Sequence, residues 1–314
     1  MDVLFTFKIA ERQKAELIQQ FPTCTFHFKR TASGEEVNFA DVIVTYGGNI
    51  NHELLARAER LKWIMVASAG IEKMPLEALE ERKILVTNVR GIHKTPMAES
   101  VLGHILALKR SIPEIYAIQE TKEWKGDFHS TELRDSTALI LGPGSIGGEI
   151  GRLLQAFGVR TVGCNRSGRK ADYMDETITF GQLKAELPQA DFVISVLPST
   201  PETTGLLTAE HFMAMKDSAI YLNFGRGDVL NEAELIEALK EKRIHHAVLD
   251  VFQTEPLPED SEFWTLPNCT VSPHVSSKSW KYIERALIIF QENLEKFLKK
   301  EGNFCNVVNL KQGY

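Results

Sequence analysis

The segment Gly142-Pro-Gly-Ser-Ile-Gly147 constrains the fold of this chain more than any other feature, because of what stands on either side of it. The apolar run Ala138–Leu141 predicts a buried strand before the glycines, and Ile146, Ile150 and Leu154 share one face of a helix after them. The first glycine permits a tight turn, the second lets a phosphate approach the backbone, and the third allows close helix–strand packing. A helix N-terminus also favours a bound pyrophosphate. The segment therefore predicts a dinucleotide site that includes Gly142, Gly144, Ser145, Ile146 and Gly147.

Short apolar runs alternate with helix-patterned segments from one end of the chain to the other. This alternation predicts parallel sheets covered by helices on both faces. The predicted strands are Val3–Phe7, Val42–Thr45, Trp63–Ala67, Leu85–Asn88, Ala138–Leu141, Thr161–Gly163, Phe192–Val196, Ala219–Asn223, Ala247–Asp250 and Thr270–Ser272.

The length of 314 residues predicts two domains, since a single core rarely grows so large. A helix is predicted over Pro96–Arg110, with Thr95 as its N-cap, and the chain is expected to cross between domains in this region. An apolar stripe from Trp280 to Phe297 predicts a closing helix. That helix is long enough to return to the N-terminal domain, so we divide the chain into one domain of residues 1–97 and 285–314 and a dinucleotide-binding domain of residues 98–284.

The predicted strand after the glycine-rich segment ends in Asn165-Arg-Ser-Gly-Arg169. An NAD-preferring site usually has an Asp or Glu there, about 20 residues beyond the glycines, to bind the ribose 2′-hydroxyl. Asn165 carries no charge to repel a 2′-phosphate, while Arg166, Ser167 and Arg169 supply two guanidiniums and a hydroxyl. The segment therefore predicts a preference for NADP that leaves NAD open; the alternative is a solvated basic turn.

Three residues that suit proton transfer each follow an apolar strand-like run. Arg226 lies in Asn223–Gly227, Glu255 lies in Asp250–Pro256, and His274 follows the last predicted strand. An imidazole gives and takes protons near neutral pH, and a neighbouring carboxylate favours its charged form. A guanidinium fork binds a small carboxylate or a polarised carbonyl. We predict a catalytic site of Arg226, Glu255 and His274; the alternative is a core histidine with two unrelated surface charges.

Composition excludes several other classes of function. The net charge of −6 argues against general nucleic-acid binding, which needs a basic face. The four cysteines are far apart and match no metal-ligand spacing, so no metal is expected. No apolar run approaches the roughly 20 residues of a membrane span, and the first residues lack the pattern of a signal peptide. We therefore expect a cytoplasmic protein that binds neither membranes nor nucleic acid.

These motifs, taken in order, resemble those of the D-isomer-specific 2-hydroxyacid dehydrogenases over almost the whole chain. The resemblance rests on Ala69–Ile71, Asn88–Glu99, Gly142–Gly147, Leu197–Thr204, Asn223–Gly227, Asp250–Pro256 and Ser272–Ser276. It implies an α/β fold of two Rossmann-like or flavodoxin-like domains with parallel sheets, in which the cofactor domain is inserted into the substrate domain. It also implies a homodimer built largely through the cofactor domains. Glu72 departs from the family, which commonly has an Asp at that position.

The resemblance also implies roles for individual residues. Arg226 would bind the carboxylate and carbonyl of the substrate, Glu255 would pair with the histidine, and His274 would be the acid and base. The implied substrate contacts are the backbone amides of Ser68, Ala69, Gly70 and Ile71. The implied cofactor contacts are Asp250 and Ser277 near the nicotinamide carboxamide, with Pro198, Thr200, Thr203 and Phe224 elsewhere along the dinucleotide.

Two aromatic residues lie where they are expected to contact the substrate. Tyr46 follows the predicted strand Val42–Thr45, and Trp280 follows the histidine segment. Aromatic walls favour small or apolar tails, so we expect glyoxylate and hydroxypyruvate as substrates ahead of phosphoglycerate.

The expected activity is hydride transfer between NADP(H) and a small 2-oxo or 2-hydroxy acid. One alternative is a non-enzymatic, dinucleotide-sensing, corepressor-like protein of the same fold. Others are phosphoglycerate, formate and phosphite dehydrogenases of the same family. Oxidation of reduced cofactor on addition of glyoxylate would distinguish the enzyme from the corepressor.

Overall fold

The computed structural model of the protein describes residues 1–68, 71 and 74–311 and divides into two compact units. The first unit contains residues 1–92 and 280–314, and the second contains residues 93–279. Each change of unit lies five residues before the predicted boundary, at 92 against 97 and at 279 against 284. The predicted boundaries fall inside two helices, Lys94–Lys109 and Tyr282–Leu298, whereas the chain changes unit in the irregular segments before them.

The first unit is a parallel sheet of five strands with helices packed on both faces. The strand order is β2-β1-β3-β4-β5. The strands are β1 (Asp2–Phe5), β2 (Thr25–Phe28), β3 (Val42–Thr45), β4 (Trp63–Val66) and β5 (Leu85–Asn88). The helices are α1 (Glu11–Gln20), α2 (Glu36–Phe39), α3 (His52–Arg57) and α4 (Leu76–Glu81), joined by the last helix of the chain, α11 (Tyr282–Leu298).

The last helix belongs to the core of the first unit because its apolar stripe faces the sheet. The ring of Phe290 stacks on Trp63 of β4 at 5.6 Å and meets Phe5 of β1 edge-on at 5.2 Å. Beyond the helix the chain returns to the edge of the sheet, where Val307 forms an antiparallel bridge with Thr87. The chain end is thus part of this unit and covers its β5 edge.

The second unit is a parallel sheet of seven strands in the order β12-β11-β10-β9-β6-β7-β8. The strands are β6 (Thr137–Leu141), β7 (Arg160–Asn165), β8 (Glu176–Thr179), β9 (Phe192–Ser195), β10 (Ile220–Asn223), β11 (His246–Leu249) and β12 (Cys269–Val271). The helices are α5 (Lys94–Lys109), α6 (Ile112–Thr121), α7 (Ser145–Ala156), α8 (Leu183–Glu186), α9 (Ala209–Ala214) and α10 (Glu232–Lys240). After β6, the chain adds β7 and β8 on one side of that strand and then β9 to β12 on the other side. The topological switch point therefore lies between β6 and β9.

The predicted elements agree with this fold, with local differences. The helix predicted from Thr95 begins at Lys94 instead, and Pro96 lies in its first turn, where its missing N–H would have had no helical partner. Trp280 is not part of the closing helix, which begins two residues later. The strands β2 and β8 are absent from the sequence prediction. Asn231 caps α10, accepting a hydrogen bond from the Ala233 amide at 3.0 Å.

The thiols and the charged clusters of the described residues give no sign of metal chemistry or disulfides. All four cysteines are free, and burial raises the pKa of Cys164 and Cys269 to about 12. Within the described ranges, no group of three or more His, Cys, Asp or Glu side chains is placed to hold a metal ion. No helix in the same residues is long and apolar enough to cross a membrane.

Candidate active site

The segments with the predicted catalytic residues and the glycine-rich loop lie at one edge of the second unit, because each follows the carboxyl end of a parallel strand. The glycine-rich loop follows β6, and the loop containing Arg226 follows β10. Glu255 comes shortly after β11, and His274 comes shortly after β12. Open α/β sheets bind ligands at this edge, next to the switch point.

His274 and Glu255 form a hydrogen-bonded pair. The imidazole Nδ1 lies 2.8 Å from Glu255 Oε2, and the Phe252 amide donates to the other carboxylate oxygen at 3.1 Å. Both side chains are partly exposed, at 49% for His274 and 37% for Glu255. Since the carboxylate accepts from Nδ1–H, Nε2 remains available for proton transfer, and among the described residues it has no hydrogen-bond partner.

The Arg226 loop touches the Glu255 loop at a glycine. A Cβ atom on Gly227 would overlap the backbone of Phe252 and Gln253, so only glycine allows the two loops to approach this closely. Asn223 fixes the Arg226 loop from within: its amide nitrogen donates to the Arg226 carbonyl at 3.0 Å, and its side-chain oxygen accepts from the Gly225 amide at 3.2 Å. The fold therefore holds Arg226 and the His274–Glu255 pair on adjoining loops.

A histidine that the sequence pattern did not single out lies beside this group. His93 precedes α5, and burial, followed by the charge of Arg226, lowers its pKa. It is therefore expected to be neutral near pH 7, next to the guanidinium. The only sequence feature that could have indicated a functional role for His93 is its position inside the family-like segment Asn88–Glu99.

The glycine-rich loop has the geometry that a dinucleotide needs. Gly142 has a φ of +90°, and a Cβ atom there would lie 3.1 Å from the Val196 carbonyl oxygen. A Cβ on Gly147 would overlap the Gly142 carbonyl. A Cβ on Gly144 would have no neighbouring atom within 4 Å, so the space beside this glycine is open. Ser145 begins α7, and the first backbone amides of a helix have no partner within the helix. The residues present thus fit a pyrophosphate close to Gly144.

A cavity of about 590 Å³ adjoins the glycine-rich loop and is lined by three basic and two acidic side chains. Its lining residues are Lys94, Pro143, Gly144, Ser145, Gly148, Glu149, Asn165, Ser167, Arg169, Lys170, Ala171, Asp172 and Tyr173. Arg169 was predicted from the sequence, but Lys94 and Lys170 were not. Arg166 is not among the lining residues; its guanidinium lies 3.6 Å from Glu202, and both side chains are mostly exposed.

Asn165 organises the loop that borders this cavity. Its side-chain nitrogen donates to the Arg169 carbonyl at 2.9 Å, and its oxygen accepts from the Ser167 amide at 3.0 Å. Asn165 also lines a neighbouring pocket of about 340 Å³ together with Gly142, Pro143, Gly144, Val196 and Pro198. One side chain thus borders both spaces next to the glycines.

The remaining predicted cofactor residues have varied surroundings. Thr203 is buried and donates to the Pro198 carbonyl at 2.6 Å, and its hydroxyl accepts from the Thr200 amide at 2.9 Å. Phe224 is buried, with its ring 5.9 Å from that of His104. Ser277 is half-buried in the turn after His274.

The predicted substrate contacts lie in the first unit. Tyr46 is half-exposed and packs on Phe7 at 4.6 Å, with the Ser68 hydroxyl 3.4 Å from its carbonyl. Ile71 is buried in the core, so only its backbone is suited to bind a ligand. Trp280 is 86% exposed, with the ammonium of Lys281 over its ring at 5.1 Å. Ala69 and Gly70 lie outside the described residues.

Comparison with known proteins settles the family. Residues 102–276, within the second unit, match the model of the D-isomer specific 2-hydroxyacid dehydrogenase NAD-binding domain. The chain belongs to this family. This 2-hydroxyacid dehydrogenase is therefore an oxidoreductase that acts on CH–OH donors with NAD(P), as predicted.

Two curated relatives of this dehydrogenase carry the names of different enzymes. It is 32% identical over 284 residues to D-3-phosphoglycerate dehydrogenase of Methanocaldococcus jannaschii, covering 88% of this chain but only 54% of that protein. It is 33% identical over 259 residues to glyoxylate reductase/hydroxypyruvate reductase of Mus musculus, covering 79% of this chain and 77% of the mouse protein.

A solved structure confirms the predicted fold class of the dehydrogenase. The NADPH-dependent glyoxylate/hydroxypyruvate reductase of Sinorhizobium meliloti, in complex with NADP and sulfate, superposes with a TM-score of 0.81 and 27% sequence identity. The match covers 100% of this chain and 99% of that one.

Proposed function

We propose that this dehydrogenase is an NADPH-dependent reductase of small 2-oxo acids, with glyoxylate and hydroxypyruvate as its preferred substrates. The observation that carries the proposal is the 2.8 Å contact between His274 Nδ1 and Glu255, on loops that adjoin Arg226. A hydrogen-bonded imidazole and a nearby fixed cation are what reduction of a carbonyl needs from the protein. The names of the mouse and Sinorhizobium relatives support the choice of substrate.

The proposed roles follow from this geometry. When bound, the reduced nicotinamide supplies the hydride for the keto carbon of the substrate. His274, protonated on both nitrogens, donates the Nε2 proton to the carbonyl oxygen. Glu255 accepts from Nδ1–H and so orients the ring and stabilises its charged form. Arg226 offsets the negative charge that develops on the oxygen, and its fork also suits the substrate carboxylate.

The choice of substrate is tested by a panel of oxo acids assayed with NADPH. We expect kcat/KM to be highest for glyoxylate and hydroxypyruvate and at least about tenfold lower for 3-phosphohydroxypyruvate, since one poorly satisfied charged group costs about 1.4 kcal/mol or more. The phosphorylated acid is the comparison that matters, because the Methanocaldococcus relative is a phosphoglycerate dehydrogenase. A higher kcat/KM for the phosphorylated acid would overturn the substrate assignment.

NADPH preference is proposed from the cations around the 590 Å³ cavity. Arg169, Lys170 and Lys94 all line it, and Ser167 adds a hydroxyl, which together suit the 2′-phosphate. Arg166 is held by Glu202, but an exposed ion pair contributes only about 0.2–1 kcal/mol. A hydrogen bond from a cation to a phosphate contributes about 1.5–3 kcal/mol. The phosphate can therefore also recruit Arg166, and we expect a preference of about ten- to a thousandfold.

Replacement of Arg169 by methionine tests this preference. We expect kcat/KM with NADPH to fall at least about tenfold, because one charge-assisted bond is lost, and kcat/KM with NADH to change less than about twofold. Arg243→Met is the matched control: Arg243 is an exposed arginine paired with Glu241, and it does not line the cavity. Equal use of NADH and NADPH by the unaltered enzyme would show that the loop is only a solvated basic turn.

The homodimer and the cytoplasmic location also remain proposals. The homodimer is supported by the family resemblance that the ordered motifs carry. A sedimentation measurement of molar mass distinguishes the dimer from a 35.4 kDa monomer.

A further inference from the structure

The loop that contains Arg226 packs against residues 197–205, the segment that follows β9. A Cβ atom on Gly225 would lie 2.5 Å from the Leu197 carbonyl oxygen and 2.7 Å from its nitrogen, so only glycine allows the backbones to approach this closely. The same segment borders the space next to the glycine-rich loop, because Pro198 lines the pocket of about 340 Å³ there. The residue before Arg226 therefore contacts a wall of the proposed cofactor site.

Asp228 makes a second contact with the 197–205 segment, two residues beyond Arg226. Its Oδ2 accepts from the Ser199 hydroxyl at 2.5 Å and from the Thr204 hydroxyl at 3.3 Å. Its backbone carbonyl accepts from the Gly205 amide at 2.8 Å. Hydrogen bonds to a carboxylate are charge-assisted and stronger than those between neutral groups. One residue thus ties the Arg226 loop to two parts of the segment that borders the cofactor pocket.

We propose that Asp228 is a positioning residue that makes the placement of Arg226 depend on the bound dinucleotide. This inference rests on the proposed roles of Arg226 and of NADPH. A dinucleotide that packs on the 197–205 segment fixes that segment, and the hydrogen bonds of Asp228 pass the constraint to the Arg226 loop. The oxo acid then binds to a guanidinium that is already in place. By linkage, NADPH and the oxo acid each tighten the binding of the other by the same factor.

The test measures the dissociation constant of oxamate by calorimetry, with and without saturating NADPH. Oxamate has the carboxylate and carbonyl of a 2-oxo acid but no ketone to reduce. Coupled sites commonly change one another's affinity about five- to 150-fold, so we expect NADPH to tighten oxamate at least about fivefold in the unaltered enzyme. Equal oxamate affinity with and without NADPH would overturn the proposal.

Asp228→Ala removes the acceptor for both hydroxyls. We expect the coupling factor to fall below about twofold and KM for glyoxylate to rise at least about fivefold, by the coupling that is lost. We expect kcat to stay within about threefold, because the lost interaction acts on binding of the oxo acid. Coupling as strong as in the unaltered enzyme would overturn the proposal.

Two further variants separate positioning from a general loss of stability. Asp228→Asn keeps an oxygen for the Ser199 hydroxyl, because its amide can take the position of Oδ1, which has no hydrogen-bond partner among the described residues. It is expected to restore coupling to at least about threefold. Asp175→Ala is the matched control, since Asp175 accepts from the Thr161 hydroxyl at 3.1 Å and from its amide at 2.8 Å, at the amino end of the strands. It is expected to lower the melting temperature and leave the coupling intact; loss of coupling there would overturn the proposal.

A milder variant covers the case in which Asp228→Ala does not fold. Ser199→Ala removes the shorter of the two side-chain bonds from an exposed position, and it is expected to weaken the coupling about two- to threefold. Unchanged coupling there would overturn the proposal in the same way. Failure of the proposed function looks different, because Arg226→Lys would then keep its glyoxylate turnover and its oxamate affinity. Full coupling in Asp228→Ala beside an impaired Arg226→Lys overturns only the inference about Asp228.

Discussion

Replacement of His274 by asparagine is expected to lower kcat by at least about a thousandfold while the enzyme still binds NADPH. General acid catalysis contributes roughly 10²–10⁴ in rate, and asparagine has no proton to give at neutral pH. Asparagine is the better replacement here, because it tolerates the left-handed backbone found at this position, where alanine would also disturb the turn. The measurement is kcat with glyoxylate, with the dissociation constant of NADPH as control.

The variant Glu255→Gln shows whether the histidine works as part of a pair. Glutamine still accepts a hydrogen bond from Nδ1–H at the 2.8 Å position but no longer stabilises a charged ring. We expect an intermediate loss of kcat, about ten- to a hundredfold. Retention of more than about a tenth of the turnover in His274→Asn would show that this imidazole is not the proton donor.

Gly227→Ala is expected to have the second largest effect, through the backbone rather than through chemistry. The added methyl would overlap Phe252 and Gln253, at backbone atoms of the Glu255 loop that cannot rotate aside. The two loops must separate, which moves Arg226 away from the His274–Glu255 pair, and a misplacement of about 1 Å is worth about a hundredfold in rate. Overpacking of this kind also destabilises a protein by about 1–3 kcal/mol. We therefore expect kcat to fall at least about a hundredfold, together with a lower melting temperature.

The control for Gly227 is another glycine whose surroundings are open. Gly103 lies in α5, and a methyl added there would have nothing within 4 Å. Gly103→Ala is therefore expected to stabilise the helix by about 0.5–1 kcal/mol and leave kcat unchanged. If Gly227→Ala behaved like Gly103→Ala, the close approach of the two loops would not matter for the reaction.

The sequence predicts best the strands that are buried over most of their length. The strands β3 and β5 agree with the prediction to the residue, because each is a short apolar run between polar segments. The strand β8 was not predicted, because Glu-Thr-Ile-Thr at the sheet edge has only one buried residue and no apolar run. The predicted start of α5 is wrong, because Thr-Pro is a strong capping signal that the chain uses inside the first turn of the helix instead.

The candidate site is predictable where residues suited to catalysis directly follow predicted strands. Arg226, Glu255 and His274 each follow a recognisable strand, so their meeting at one sheet edge can be inferred. The contact at Gly227, the cations Lys94 and Lys170, and the position of His93 depend on which distant segments lie side by side. A single sequence does not contain that information, since nothing in the local pattern at Lys94 refers to the loop after β7.

The hydrogen bonds of Asn165 make the proposed preference for NADP depend on the conformation of the 165–169 loop as well as on the charge at position 165. The residue that would be exchanged to attract NAD is also the residue whose amide ties the loop to the Arg169 carbonyl. An aspartate at 165 would repel a 2′-phosphate, but it would repel that carbonyl as well and release the loop. Redesign of this enzyme toward NAD therefore has to reshape the backbone of the 165–169 loop together with the exchange at position 165, and Asn165→Asp alone is expected to use both dinucleotides poorly.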